Sequence, residues 1–238
     1  MHTLSIIIPA RNEKKYIEPA VTQLLSVPLP DNTEILFVEG YSTDGTLAEI
    51  KKVAENYKNK INIRYASQDG IGKADAVWSG FNMARNEILL ILDADLTVAP
   101  QDVPKFYAAI TQSEKLFING SRMALKMEKG AIRPLNYFGN KFFAALLSLI
   151  VKRKLTDTLC GTKVIYKRYF EAIKRAGMIE KFDDPFCDFT LLLGAHRLGL
   201  EIVEVPISYK RRIYDSTKIR RFRDGWKLLK IVIRHLFT

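Results

Sequence analysis

The sequence has few of the residues that most often mark an active centre. Its 238 residues include two cysteines, Cys160 and Cys187, and three histidines, His2, His196 and His235. Neither CxxC nor CxH spacing occurs, which excludes zinc-ribbon and thioredoxin-like motifs and argues against a disulfide-stapled scaffold. A reduced, cytoplasmic setting is expected. The histidines stand at no metal or triad spacing and read as structural or solvated. No Gly-x-Ser-x-Gly elbow is present. Gly70-Ile71-Gly72-Lys73 imitates a phosphate loop, but it lacks Walker spacing and follows no clear strand. Long apolar runs are missing as well. Phe142 to Val151 covers only half of the ~20 residues a bilayer crossing requires, so no spanning segment is expected. The opening MHTLSIIIPARNE has too short an apolar run for a signal peptide.

Hydrophobic residues make up 47% of the chain and charged residues 26%, which excludes a disordered or collagen-like polymer. No repeat, low-complexity segment or linker divides it, so one domain over 1–238 is expected. The charge is uneven: the net is +11, and the ten basic and two acidic residues from Ile207 to Thr238 account for +8 of it. A basic patch of this kind suits a polyanionic partner such as a membrane surface, a nucleic acid or a phosphorylated ligand.

Apolar runs alternate with amphipathic stretches through the first half. Leu4–Ile8, Glu34–Val38, Ile61–Tyr65 and Glu87–Leu92 read as strands. The spacing of Ile17, Val21, Leu24 and Leu25, then Thr46–Tyr57 and Lys73–Arg85, read as helices. Glu87–Leu92 has no polar face and should be covered on both sides. This alternation predicts an α/β fold with a parallel sheet. The second half is less regular, with a strand at Phe117–Ser121, helices at Pro134–Lys152 and Phe186–Leu198, a short strand at Glu201–Val205 and an amphipathic helix at Asp224–Phe237. Asp183-Asp184-Pro185 reads as a turn that starts a helix.

Ligands of open α/β sheets bind beyond the carboxyl ends of the strands. Three polar loops converge there: Pro9-Ala10-Arg11-Asn12-Glu13, then Glu39 to Thr46, then Asp93-Ala94-Asp95. Two carboxylates one residue apart at the end of a buried strand repel one another unless a cation compensates. A hard divalent ion does so, and Mg²⁺ typically combines one or two carboxylates with substrate phosphates.

On these residues the chain resembles the family 2 glycosyltransferases of the GT-A fold, which use nucleotide sugars. The matching segments are Ile7 to Glu13, Val38 to Thr46, Asp93-Ala94-Asp95-Leu96 and Gly120-Ser121-Arg122. Asp157 to Lys163 (DTLCGTK), Glu204 to Tyr209, Arg211/Arg212 and Ser216 to Ile219 resemble the dolichyl-phosphate mannose synthase branch. The resemblance implies a Rossmann-like, mostly parallel central sheet with helices on both faces and peripheral amphipathic helices. Residues 1–100 would form the nucleotide-binding half, 101–206 the acceptor half and 207–238 a basic amphipathic tail.

It also implies roles. Pro9, Ala10, Arg11 and Glu13 would line the nucleoside pocket, with Glu39 near the base and Asp93 and Ala94 beside the ribose. Asp93 and Asp95 would hold Mg²⁺ or Mn²⁺. Relatives more often carry two aspartates where this chain has Glu39 and Gly40, which leaves UDP and GDP both open. They also often carry Gln where Thr97 stands. Breaking the bond from anomeric carbon to phosphate leaves a diphosphate of growing negative charge, which a metal and nearby cations stabilise. Arg122, Arg133, Arg211, Arg212 and Lys218 resemble the family's phosphate-binding positions. A hydroxyl acceptor needs a general base, for which Asp188 and, second to it, Asp157 are candidates. An anionic lipid phosphate needs none.

The implied activity is a metal-dependent, inverting transfer to a polyprenyl phosphate, with a saccharide or other hydroxyl acceptor as the alternative. Leu135–Val151 and the closing helix, with Trp226, Leu229, Ile233 and Leu236 beside Lys227, Lys230 and Arg234, have the pattern of interfacial helices on anionic lipid. Peripheral attachment to the inner face of the membrane is therefore expected. A nucleic-acid binder would explain the basic tail but leave the acidic rim without a purpose, and no recognised module is present.

Overall fold

The computed structural model describes residues 2–124, 134–210 and 221–236. Its first half runs β1 (Leu4–Ala10), α1 (Lys14–Leu25), β2 (Glu34–Glu39), α2 (Thr46–Tyr57), β3 (Asn62–Ser67), α3 (Lys73–Met83) and β4 (Ile88–Ile91). After a short 3₁₀ turn come α4 (Val103–Ile110), β5 (Leu116–Ser121), α5 (Pro134–Val151), β6 (Lys163–Tyr166), α6 (Lys167–Arg175) and α7 (Met178–Phe182). The chain then forms α8 (Asp188–Arg197), β7 (Glu201–Pro206) and α9 (Arg221–Leu236).

Seven strands form one sheet in the order β3-β2-β1-β4-β6-β5-β7. The pairs β1–β2, β2–β3, β1–β4 and β5–β7 are parallel, and only β6 runs against its neighbours β4 and β5. Side chains alternate across this sheet as strand geometry requires. Ile7, Leu36, Val38, Leu89 and Ile91 join a core layer with Phe81, Phe170, Phe189 and Leu192. Ile6, Ile8, Ile35, Phe37, Ile88 and Leu90 face the other way, toward Ile17, Val21, Ile50 and Phe106. Helices therefore cover both faces, which is why the central strands carry no polar face; each enclosed aliphatic side chain contributes about 1.5–3 kcal/mol.

The expected elements are present, with ends displaced by no more than three residues. Four features went unread: β6, α4, α6 and α7. β6 is a four-residue strand whose apolar run, Val164-Ile165-Tyr166, is too short to register as periodicity. It lies antiparallel between two strands of the opposite direction, so the sheet is mostly rather than wholly parallel. One earlier expectation is corrected: Gly70-Ile71-Gly72-Lys73 does follow a strand, β3, and leads directly into α3. Among the described residues no helix is long and apolar enough to cross a membrane.

Candidate active site

Strand register builds the rim. Ala10 pairs with Glu39, and Ile7 pairs with both Leu36 and Ile91, so the chain leaves β1, β2 and β4 side by side at one edge. The first two loops are stitched together. Asn12 takes a left-handed backbone (φ 54°), its amide N–H donates to Ser42 Oγ (2.9 Å), and its Oδ1 accepts the Thr43 N–H (2.8 Å). Glu13 N–H donates to Thr46 Oγ1 (2.9 Å) and Lys14 N–H to Asp44 Oδ2 (3.1 Å). Asp44 Oδ1 also accepts the Thr46 N–H (2.9 Å) at the start of α2. Although burial opposes it, these hydrogen bonds hold the Asp44 carboxyl below its ordinary range.

Glu39 turns back on its own loop, accepting the N–H groups of Tyr41 (3.1 Å) and Ser42 (2.5 Å). Gly40 explains the missing second carboxylate of the motif. A Cβ there would meet Gln68 Oε1 at 3.0 Å and Arg11 Cβ at 3.1 Å. Gln68 and Arg11 thus fill the space a side chain would need.

At the end of β4, Asp95 Oδ1 accepts both the N–H (3.1 Å) and the hydroxyl (2.7 Å) of Thr97, so Thr97 orients the carboxylate. Thr97 in turn accepts the Lys210 N–H (3.0 Å), and Val98 bridges Tyr209. The start of the basic tail is thereby fastened beside the acidic rim. Asp93 Oδ1 lies 2.5 Å from Lys73 Nζ, with about a quarter of each side chain exposed. Gly161 presses on this pair: a Cβ there would collide with Lys73 Nζ and come within 2.5 Å of Asp93 Oδ2.

Behind it lies a second ion pair, Lys163 Nζ to Asp188 Oδ1 at 3.0 Å, with both side chains essentially buried. Lys163 also donates to the Cys160 carbonyl. Burial pushes the Asp188 carboxyl above its usual value, and Lys163 and Lys73 offset only part of that rise. Asp184 accepts the N–H groups of Phe186, Phe189 and Thr190 at the start of α8 (3.0, 2.9 and 2.9 Å), as the turn reading anticipated. Burial and then the Asp188 charge raise it to about 6.

Arg122 is committed elsewhere. Its Nε and Nη2 clasp Asp157 at 2.7 and 2.8 Å, and its own N–H adds a third bond at 2.9 Å. Asp157, fully buried, also accepts from Asn140 Nδ2 (2.8 Å) and Leu159 N–H (3.1 Å). Burial alone would push the Asp157 carboxyl up, but Arg122 outweighs it and holds the group below its ordinary value. Glu204 secures the same loop by accepting the N–H groups of Thr156 and Asp157. A carboxylate so enclosed and so fully hydrogen-bonded fixes a loop, and it is the weaker of the two base candidates.

The structure thus gathers Pro9, Ala10, Arg11, Glu13, Glu39, Asp93, Ala94 and Asp95 along one rim, with Asp188 buried behind it and Arg122 paired to one side. Arg133, Arg211, Arg212 and Lys218 lie outside the described residues. Two residues of this region, Lys73 and Lys163, received no role in the sequence reading. Lys73 was set aside with the phosphate-loop look-alike, and Lys163 stood at the end of DTLCGTK without a partner to give it meaning. Asp93 and Asp95 carry hard carboxylate oxygens, the donor type a divalent cation takes; among the described residues no cluster of three or more His, Cys, Asp or Glu could hold a metal.

The family model described as Glycosyl transferase family 2 matches residues 5–174. A dolichyl-phosphate beta-glucosyltransferase of Trichomonas vaginalis is 28% identical over 98% of this chain and 73% of its own length. A dolichol-phosphate mannosyltransferase of Mycosarcoma maydis is 28% identical over 95% of the chain and 75% of its own. The Saccharomyces cerevisiae enzyme of that name is 34% identical, over 50% of the chain and 45% of its own length. Among solved structures, glucosyl-3-phosphoglycerate synthase from Mycobacterium tuberculosis, in complex with UDP, superposes with a TM-score of 0.70 at 17% identity, covering 98% of this chain and 80% of that one. The same enzyme was also crystallised with Mn²⁺, UDP and glucosyl-3-phosphoglycerate.

Proposed function

Because the chain belongs to glycosyl transferase family 2, we propose that it moves a sugar from a UDP- or GDP-linked donor to a polyprenyl phosphate of the dolichyl type, with inversion at the anomeric carbon. The observation that carries this reading is the convergence of the β1, β2 and β4 ends on Asp93 and Asp95. The stitched loops after β1 and β2, with Arg11 and Glu39, form the wall against which the nucleoside lies. Asp93 and Asp95 would hold Mg²⁺ or Mn²⁺, which when bound stabilises the charge that grows on the departing diphosphate. Lys73 adds an ammonium to the same rim. By the family resemblance, Arg211 and Arg212 remain candidate partners of the diphosphate.

In the transfer, an oxygen of the acceptor phosphate forms the new bond to the anomeric carbon as the bond to the donor diphosphate breaks. The phosphate is already anionic, so no proton has to be removed. The site suits such an acceptor, since its best base candidate, Asp188, is buried and paired with Lys163.

Two helices favour a lipid-borne acceptor. Leu135, Phe138, Phe142 and Leu149 form an exposed stripe along α5, with Phe138 68% and Leu149 78% exposed, and Trp226, Ile233 and Leu236 do the same on α9. Lys141, Lys230 and Arg234 stand exposed beside them. Apolar stripes rimmed by cations lie readily on anionic lipid, each cation contributing roughly 1 kcal/mol. This supports peripheral attachment to the inner face of the membrane.

The test is transfer from labelled UDP- and GDP-sugars with and without added polyprenyl phosphate. Lipid-dependent product is expected, and it should persist in Asp188→Asn once the variant is shown to be folded. Product formed on a saccharide without lipid, and abolished by Asp188→Asn, would favour a hydroxyl acceptor instead.

A further inference from the structure

Lys73 is the first residue of α3, where the helix dipole disfavours a cation. Its position is offset by carboxylates rather than by solvent: Asp93 sits 2.5 Å from Nζ, and the ammonium also feels Asp188. The N-termini of α3 and α8 adjoin, with the Ala74 N–H donating to the Pro185 carbonyl at 3.4 Å. Only a residue without a side chain fits at 161 while Lys73 and Asp93 touch. The cluster of Asp93, Asp184, Asp188, Lys73 and Lys163 has one more carboxylate than ammonium, which leaves room for an added positive charge. Lys73, unlike Lys163, is partly exposed.

We propose that Lys73 is a built-in placeholder for the metal: its ammonium neutralises Asp93 while the donor site is empty and shifts toward Asp188 when a divalent cation arrives. This rests on the reading of Asp93 and Asp95 as the metal-holding pair. Lys73 is then a positioning residue. It holds the Asp93 carboxylate at the rim and competes with the metal for it, which weakens metal binding until a nucleotide diphosphate contributes its own oxygens. The shift toward Asp188 carries the change to the start of α8.

The experiment is Mn²⁺ binding to the full chain, followed by paramagnetic resonance, first without nucleotide and then with UDP or GDP. Lys73→Met is expected to bind Mn²⁺ about fivefold tighter than the unaltered chain when nucleotide is absent, as follows from removing a competing charge worth about 1 kcal/mol. It should also bind metal-free UDP or GDP more weakly. Lys73→Gln, which removes the charge but keeps a polar side chain, should tighten Mn²⁺ binding in the same direction and serves if Lys73→Met does not fold. Unchanged or weaker Mn²⁺ affinity in folded variants, with nucleotide-dependent Mn²⁺ binding intact, would overturn the placeholder role alone. Absence of Mn²⁺ binding in every chain, even with nucleotide, would overturn both it and the metal assignment.

Discussion

At the β1–β2–β4 edge, carboxylates stand at strand ends and are held mainly by backbone N–H groups or by a partly exposed lysine, as at Glu39, Asp44 and Asp93. Around β5, β6 and β7 the charges are enclosed and cross-paired: Asp157 with Arg122, Asp188 with Lys163, and Glu204 with the 156–157 loop. The first arrangement leaves the oxygens of Asp44 and Asp93 beside solvent, where a ligand can reach them, while Glu39 is buried under its own loop. The second encloses charge that only the fold can compensate. A basic residue just past a strand, such as Arg122, has the same appearance in sequence in either setting. Its burial and its partner distinguish the two.

Breaking the enclosed side should have the largest effect on stability. Asp157→Ala leaves the Arg122 guanidinium buried without its partner and releases the Asn140 and Leu159 donors. It should cost about 3–5 kcal/mol in denaturant melts. A loss below about 1 kcal/mol would place Asp157 among the solvent-screened pairs instead.

A pH titration sharpens the contrast. The folded chain holds the Asp184 proton up to about pH 6, whereas an unfolded aspartate releases it near 3.9. Between those values the folded state binds more protons, so this group's contribution to stability rises as pH falls. Asp44, Asp157 and Glu34, all held below their usual range, act in the opposite sense, but only as pH falls through and below the ordinary carboxylate range. From pH 7 to pH 5 Asp184 should therefore add about 1 kcal/mol. Asp184→Asn should flatten that slope. Because buried Asp188 acts in the same sense and His235, lowered by burial, in the opposite one, the difference between the two slopes carries the test, and equal slopes would contradict the burial argument.

Much of the β1–β2–β4 half was legible because its signals are local. Ile-Leu-Leu-Ile-Leu before Asp93-Ala94-Asp95 reads as a buried strand ending in two carboxylates, and the strand comes to rest in a parallel pair with β1. Thr46–Tyr57 was read with its observed ends. The other half was harder because its signals are distant in sequence. Lys163 is explained by Asp188, Arg122 by Asp157 and Gly161 by Lys73 and Asp93, and no period or spacing links those pairs. β6 went unseen for the same reason: a four-residue strand is defined by its neighbours, not by its own pattern.

Calorimetric titration of UDP and GDP in the presence of Mn²⁺, on the unaltered chain and on Asp95→Ala, tests the acidic edge most directly. At least one of the two nucleotides should bind in a Mn²⁺-dependent way, and Asp95→Ala should weaken that binding tenfold or more, about 1.4 kcal/mol. Equal binding by both chains, with or without the metal, would contradict it.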